Sequence, residues 1–194
     1  MLYLNTHIWE ASSGQVQAAL EALPEWRRML AMGFRHESGR RENALAFIEL
    51  MRGLRAEYGM TDIPRFEYNQ HGKPSLTGCP HIHFSISHCR VAAGCLISDV
   101  PCGFDVERIR KVSDNMIAHS MNLKEQEMIG SSPWPELAFV RLWTRKEALY
   151  KLWGTGIDDG LREVLCSPMA KGVALRTTEN AADGYVMTEA FLIP

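Results

Sequence analysis

The residue types that do chemistry fall in two short stretches, Gly103-Phe104-Asp105-Val106-Glu107 and Trp143-Thr144-Arg145-Lys146-Glu147-Ala148-Leu149-Tyr150-Lys151. Between them they offer carboxylates and lysines that can hold a cation and a pyrophosphate side by side. Asp105 and Glu107 stand two apart in an alternating run, so on a strand both face one way while Phe104 and Val106 turn the other way, into a core. Glu147 and Lys151 are at i,i+4 spacing and stack one turn apart on a helix, with Trp143 a turn before them. A helix laid across the strand brings Glu147 to Asp105 and Glu107. Oxygen-only ligands suit a hard cation such as Mg²⁺, which takes few protein carboxylates and keeps positions for water and substrate phosphate. Each pattern alone has a plainer reading: Asp-x-Glu as the solvated face of a strand, and Glu147 with Lys151 as a surface ion pair worth about 0.3–0.5 kcal/mol. Their joint occurrence favours a site.

The elements that must position these residues are legible in outline. Residues 15–32 read as helix, interrupted at Pro24, and residues 40–57 as a long helix, with Leu45, Ile48, Leu50, Met51 and Leu54 at helical spacing and Gly59 as its stop. Residues 65–68 alternate like a strand before the turn Asn69-Gln70-His71-Gly72-Lys73-Pro74. Residues 81–86 form a second alternating run, and the apolar run 91–98 suits a buried strand. Residues 102–109 alternate again and carry Asp105 and Glu107. Helix follows over 113–121, then a short helix N-capped by Asn122 with Glu125 in its first turn, then a helix from Pro135 to a stop at Gly154-Thr155-Gly156. On that last helix Phe139, Leu142, Leu149, Tyr150 and Trp153 share a face. In the tail, residues 164–166 and 185–187 are expected strands closing a second sheet. The sum is an α/β (α+β) protein of two pseudo-symmetric lobes, 1–100 and 101–194, each a small antiparallel sheet packed with a long helix, and with the site in the cleft between them.

Bulk composition excludes several function classes. The chain has 194 residues, 46% hydrophobic, with 21 basic and 23 acidic residues and a net charge of −2, so no global field draws it to nucleic acid or an anionic membrane. Any anion site must therefore be local. The five cysteines (Cys79, Cys89, Cys95, Cys102, Cys166) form no paired framework, the first residues lack the basic head and apolar run of a signal peptide, and no stretch approaches bilayer length. A soluble, cytoplasmic protein with reduced thiols is expected. His81 and His83 beside Cys79 and Cys89 raise zinc as an alternative, but the spacing lacks a second ligand pair, and a strand with exposed histidines is the better reading.

Gly103-Phe104-Asp105-Val106-Glu107 followed by Trp143-Thr144-Arg145-Lys146-Glu147-Ala148-Leu149-Tyr150-Lys151 resembles the two signature motifs of 4′-phosphopantetheinyl transferases, G-x-D-x-E and W-x-x-K-E-A-x-x-K. Upstream, Gly72-Lys73-Pro74 and Phe84-Ser85-Ile86-Ser87-His88 are similar to that family's G-K-P turn and F-N-x-S-H strand end, so the resemblance spans residues 72–151. The length fits the monomeric two-lobed type of the family, not the shorter trimeric type. The resemblance implies an enzyme with holo-[acyl-carrier-protein] synthase activity. Such an enzyme moves the 4′-phosphopantetheine arm of coenzyme A onto a serine of an apo acyl or peptidyl carrier protein, with Mg²⁺ as cofactor, and releases adenosine 3′,5′-bisphosphate.

Carried over by motif, Asp105, Glu107 and Glu147 would hold the ion, and Lys146 and Lys151 would neutralise charge growing on the phosphates. Glu147, Lys151 and Glu125, the last resembling the acidic residue of the family's F-S-x-x-E stretch, are the candidates for removing the serine proton. Lys73, Ser87 and His88 match positions that contact the nucleotide phosphates, with Asp105 beside them. The nucleotide side of the site would lie on the N-terminal lobe, and the metal ligands and catalytic helix on the C-terminal one. The sequence departs from the pattern at Ser85, Cys89 and Phe104, none of them a metal ligand, and at Phe47, where an arginine or small polar residue is usual. Of the arginines that grip the 3′-phosphate in the family, only Arg41 is carried over. An acidic carrier helix needs an apolar and basic landing surface, and residues 113–130, with Met116, Met121, Leu123, Lys124 and Met128, are the candidate. The rival readings are a Mg²⁺-dependent hydrolase of the coenzyme A pyrophosphate and a non-catalytic protein that binds carrier or coenzyme A.

Overall fold

The computed structural model describes residues 1–193. Strand β1 (Leu2–Thr6) leads into helices α1 (Ser13–Glu21) and α2 (Glu25–Met32), separated at Pro24, then the long α3 (Glu37–Tyr58). Gly59 stops α3 in the left-handed region (φ 65). The short hairpin β2 (Phe66–Tyr68) and β3 (Pro74–Leu76) precedes β4 (His83–His88), β5 (Ala92–Ser98) and β6 (Cys102–Arg108). Helices α4 (Asp114–Ser120), α5 (Leu123–Gly130) and α6 (Pro135–Trp153) follow, then three short 3-10 turns and the strands β7 (Val173–Asn180) and β8 (Tyr185–Leu192).

The two three-stranded sheets share one plan. In the first the order is β1-β5-β4, and in the second β6-β8-β7, with every neighbouring pair antiparallel. Each is thus a strand, a long helix and a hairpin, and the third strand sits between the first and second. The α+β expectation of two related sheets, each with a long helix, is met in this topology. Phe47, Leu50 and Leu54 of α3 pack on Phe84 and Ile97, forming the core of the first sheet. Ala148, Leu149 and Leu152 of α6 pack with Ala190 under the second. A third cluster, in which Leu96 and Ala92 meet Phe104 and Val106, joins the two sheets. Phe104 and Val106 therefore turn inward as their alternation requires.

Gly103 explains one letter of the first motif. A Cβ there would collide with the Ala148 carbonyl and the Leu152 amide, so the glycine lets α6 lie directly on β6, with Ala148 as the small residue opposite. One expected strand is corrected: Val164–Cys166 is a 3-10 turn, and Val164 is buried against the α6 cluster. A three-residue apolar run is too short for periodicity to decide its conformation. The sheet position it was expected to fill belongs to β7, whose exposed faces alternate without a dominant apolar stripe.

Candidate active site

The edge strands β4 and β6 come together through serine hydroxyls. Ser85 Oγ accepts from the Phe104 amide (2.9 Å) and Ser87 Oγ from the Val106 amide (3.2 Å), which satisfies two backbone donors on the outer edge of the second sheet. Phe84, by contrast, points into the core under α3. Ser87 also donates to Asp105 Oδ1 (2.8 Å), and Lys151 Nζ donates to both Ser87 Oγ (2.8 Å) and Asp105 Oδ1 (2.7 Å). Strand, serine and helix are tied at one point, and residues far apart in sequence meet there.

Glu107 and Glu147 face this point. Removal from water, and then the negative charge of Asp105, push each carboxyl up from its ordinary value to about 7. Lys151 works in the opposite direction on both. Among the described residues no three carboxylates, thiols or imidazoles stand close enough to form a ready metal site, although Asp105 is near enough to act on the charge of both Glu107 and Glu147. The physical reason is charge: three carboxylates repel unless a cation lies among them, and here the Lys151 ammonium takes that part for Asp105. The donor set nevertheless fits a hard cation. Asp105 Oδ2 is buried with no hydrogen-bond partner, an open oxygen in a place where a polar atom left unpaired is costly. The neighbouring carboxyls of Glu107 and Glu147 are raised by burial and by the charge of Asp105, and added positive charge would favour their ionised form.

A cavity of about 250 Å³ opens beside this cluster, walled by Glu147, Tyr150 and Lys151 of α6 and by Gly72, Lys73 and Pro74 of the hairpin turn. Lys73 is pinned to the end of α6: its Nζ donates to Leu152 O (2.7 Å) and more weakly to Cys102 O (3.4 Å). Burial lowers its pKa. Asn69 Nδ2 adds a bond to Gly154 O (2.8 Å), and Gly154 is left-handed (φ 66) at a position where a Cβ would strike Lys73. The Gly-Lys-Pro turn thus closes one side of the cavity and caps the helix that carries Glu147.

Through Gly72, Pro74, Phe84 and Ile86 this cavity adjoins a second one of about 200 Å³. Its walls include Trp26, Phe47, Phe66 and Tyr68, with Arg27 and His88 as the charged or titratable groups. Arg27 lies over the Phe47 ring at 5.3 Å, its Nε is buried without a partner, and burial draws its pKa down. His88 Nδ1 stands 3.5 Å from Glu42.

Three expected site residues are placed elsewhere. Lys146 is fully buried and gives its ammonium to Glu125 (2.7 Å), Ser120 O (2.9 Å), Leu161 O (3.0 Å) and Arg162 O (2.8 Å), which leaves no donor for a phosphate. Glu125 is bound in turn to Lys146 and to the Asn122 amide as the N3 partner of a capping box, so it is not a free base. Arg41 donates to Trp9 O (3.0 Å) and lines another pocket with Glu42 and Arg90. Arg27 is the residue that sequence reasoning missed. The signal was its place beside Trp26 in a helix with little apolar commitment, where an arginine among aromatics is free to fill a pocket wall. In the expected landing surface Met121 is core, whereas Leu123 (83% exposed) and Met128 (59%) face solvent.

Comparison with known proteins adds the following. Residues 101–188 match the family model described as the 4′-phosphopantetheinyl transferase superfamily. The chain is 32% identical over 126 residues to the 4′-phosphopantetheinyl transferase psf-1 of Bacillus pumilus, covering 63% of this chain and 54% of that protein. It is 33% identical over 100 residues to the 4′-phosphopantetheinyl transferase AcpT of Salmonella typhimurium, covering 49% of this chain and 52% of that one. It is 28% identical over 96 residues to the 4′-phosphopantetheinyl transferase Sfp of Bacillus subtilis, covering 48% and 43%. The chain thus spans about half the length of the curated relatives it matches. No helix among the described residues is long and apolar enough to cross a membrane.

Proposed function

We propose, from the premise that residues 101–188 are a domain of the 4′-phosphopantetheinyl transferase superfamily, that this chain transfers 4′-phosphopantetheine from coenzyme A to a serine of an apo acyl or peptidyl carrier protein. The observation that carries the reading is the junction of Ser87, Asp105 and Lys151. It brings the two motifs and the strand end together beside a cavity walled by the Gly-Lys-Pro turn.

In the reaction the serine oxygen forms a bond to the phosphorus next to pantetheine, the bond from that phosphorus to the bridging oxygen breaks, and adenosine 3′,5′-bisphosphate leaves with the electron pair. Asp105, Glu107 and Glu147 would hold a Mg²⁺ ion, which supplies positive charge against the pyrophosphate. Lys151 is the ammonium on the cavity wall and stabilises charge growing on the phosphate oxygens. Glu147, on the cavity wall, is the carboxylate placed to take the serine proton. Ser87 fixes Lys151 and Asp105 relative to each other. Lys73 positions the turn against α6, and the aromatic cavity with Arg27 and His88 receives the nucleotide. On this reading residues 1–100 form the nucleotide side and residues 101–194 the metal and catalytic side. With its cysteines unpaired, the protein works in a reducing compartment.

The test is intact-mass spectrometry of apo carrier proteins incubated with coenzyme A and Mg²⁺. Addition of one pantetheine arm is the expected result. Consumption of coenzyme A without modification of any carrier would instead identify a hydrolase.

A further inference from the structure

A larger cavity than those of the site just described lies outside it, at the far end of β6. It measures about 540 Å³ and is walled by Ile109, Trp134 and Leu137 together with the β7–β8 turn, and rimmed by Arg110, Lys111 and Glu136. Trp134, an indole at the entrance of α6, is 70% exposed. A large, rigid, half-apolar side chain next to cations on an open cavity is the composition of a protein contact.

Position says which protein. The cavity starts two residues after Glu107, just past the end of that strand and roughly 7 Å along the chain, and Arg110 is near enough to Glu107 to act on its charge. A helix of about 10–12 Å diameter resting here would therefore reach the reacting centre. Charge says what kind of helix. Arg108, Arg110 and Lys111 follow one another closely against Glu136, whereas α5, another face with exposed apolar side chains, balances Lys124 against Glu127, its Glu125 being buried against Lys146. An acidic helix is drawn to the first surface and gains no such attraction from the second.

We propose that this cavity seats an acidic, amphipathic helix of the domain that carries the accepting serine, with Trp134 as the apolar anchor and Arg110 and Lys111 as the charged rim. The inference rests on the transferase reading and places its protein substrate. The contact is of the helix-in-groove kind, in which buried aromatic anchors dominate the affinity and rim charges set the rate of encounter.

The experiment measures transfer to an apo carrier protein for the full chain and for Trp134→Ala and Lys111→Glu, with thermal unfolding of each as a check on the fold. Carrier concentration is varied at saturating coenzyme A, and then the reverse. Trp134→Ala should raise the KM for carrier roughly tenfold, and Lys111→Glu should raise it several-fold while flattening its dependence on salt. Neither should alter the KM for coenzyme A. A parent protein that modifies carrier, with both variants matching it in carrier KM, overturns the docking inference and leaves the transferase reading standing. A parent dimer that Trp134→Ala splits, with carrier KM unchanged, overturns it in favour of a second copy of this chain. No transfer by the parent to any carrier overturns the transferase reading and this inference with it.

Discussion

Lys151 Nζ lies 2.7 Å from Asp105 Oδ1, so an ammonium from α6 neutralises the carboxylate of the first motif. The other oxygen of Asp105 is buried and unpartnered. On the proposed assignment, lysine and cation would compete for one charge until phosphate takes the lysine. Lys151→Ala should tighten Mg²⁺ binding to the free protein, by roughly tenfold, because a charge that must be displaced is gone. It should also lower kcat by about 10²–10³-fold, because the donor to the phosphate oxygens is gone. Calorimetry with Mg²⁺ alone and turnover assays read the two effects separately. Unchanged Mg²⁺ affinity would remove the competition.

The raised carboxyls give the ion a pH dependence of defined sign. Glu107 and Glu147 titrate near 7 in the folded chain against 4.5 for the free side chain, so between those values the folded protein holds more protons than the unfolded one. Their contribution to stability is therefore full below 4.5 and is lost as pH rises through 7. A divalent cation must displace those protons, so the rise in Tm on adding Mg²⁺ should be near zero at about pH 5 and complete above about pH 8. Glu147→Gln should shrink that rise and abolish transfer while leaving the apo fold intact. A Mg²⁺ effect independent of pH would contradict the assignment.

Lys146 sits one residue before Glu147 and does an unrelated task. Removing it strands the Glu125 carboxylate in a dry interior, so Lys146→Ala should cost about 3–5 kcal/mol of stability. Paired replacement, Lys146→Met with Glu125→Leu, should recover much of the loss by removing both charges together. Denaturant unfolding of the two variants and the parent is the measurement. Full stability of Lys146→Ala would show the pair to be incidental.

How much of this was legible in the sequence depends on whether local rules or tertiary contacts decided each feature. The ends of α3 and α6 were marked by Gly59 and Gly154, and the N-terminus of α5 by Asn122. The placement of Lys146 was readable too: it follows Leu142 by four residues and precedes Leu149 by three, on the apolar stripe, so a lysine there had to be buried and paired. Glu125, three residues after an Asn cap, was already a capping-box residue. The motif likeness outweighed both signals. The edge strand β7 was hard to read because only Val173 and Leu175 give its inward side an apolar character, and the pairing of β4 with β6 was not readable because two serine hydroxyls make it. Nor was the closeness of Lys151 to Asp105, a contact made only by folding.

Arg27 and Arg41 border different cavities, and each has a buried Nε without a partner. Arg27 lies over the Phe47 ring on the aromatic cavity, whereas Arg41 Nη1 is engaged by the Trp9 carbonyl. A phosphate on the nucleotide would give Arg27 the charge-assisted bonds it lacks, which are worth about 1.5–3 kcal/mol for a hydrogen bond to a charged group. Arg27→Ala should therefore raise the KM for coenzyme A by roughly tenfold or more, with kcat changed far less. With the 3′-phosphate absent, as in dephospho-coenzyme A, the same substitution should have little effect. Arg41→Ala should lower Tm slightly through loss of its carbonyl contact and leave both KM values where they were. Equal losses for the two nucleotides in Arg27→Ala would mean that the guanidinium only packs on Phe47, and a selective loss in Arg41→Ala would return the phosphate to the helix that the sequence first suggested.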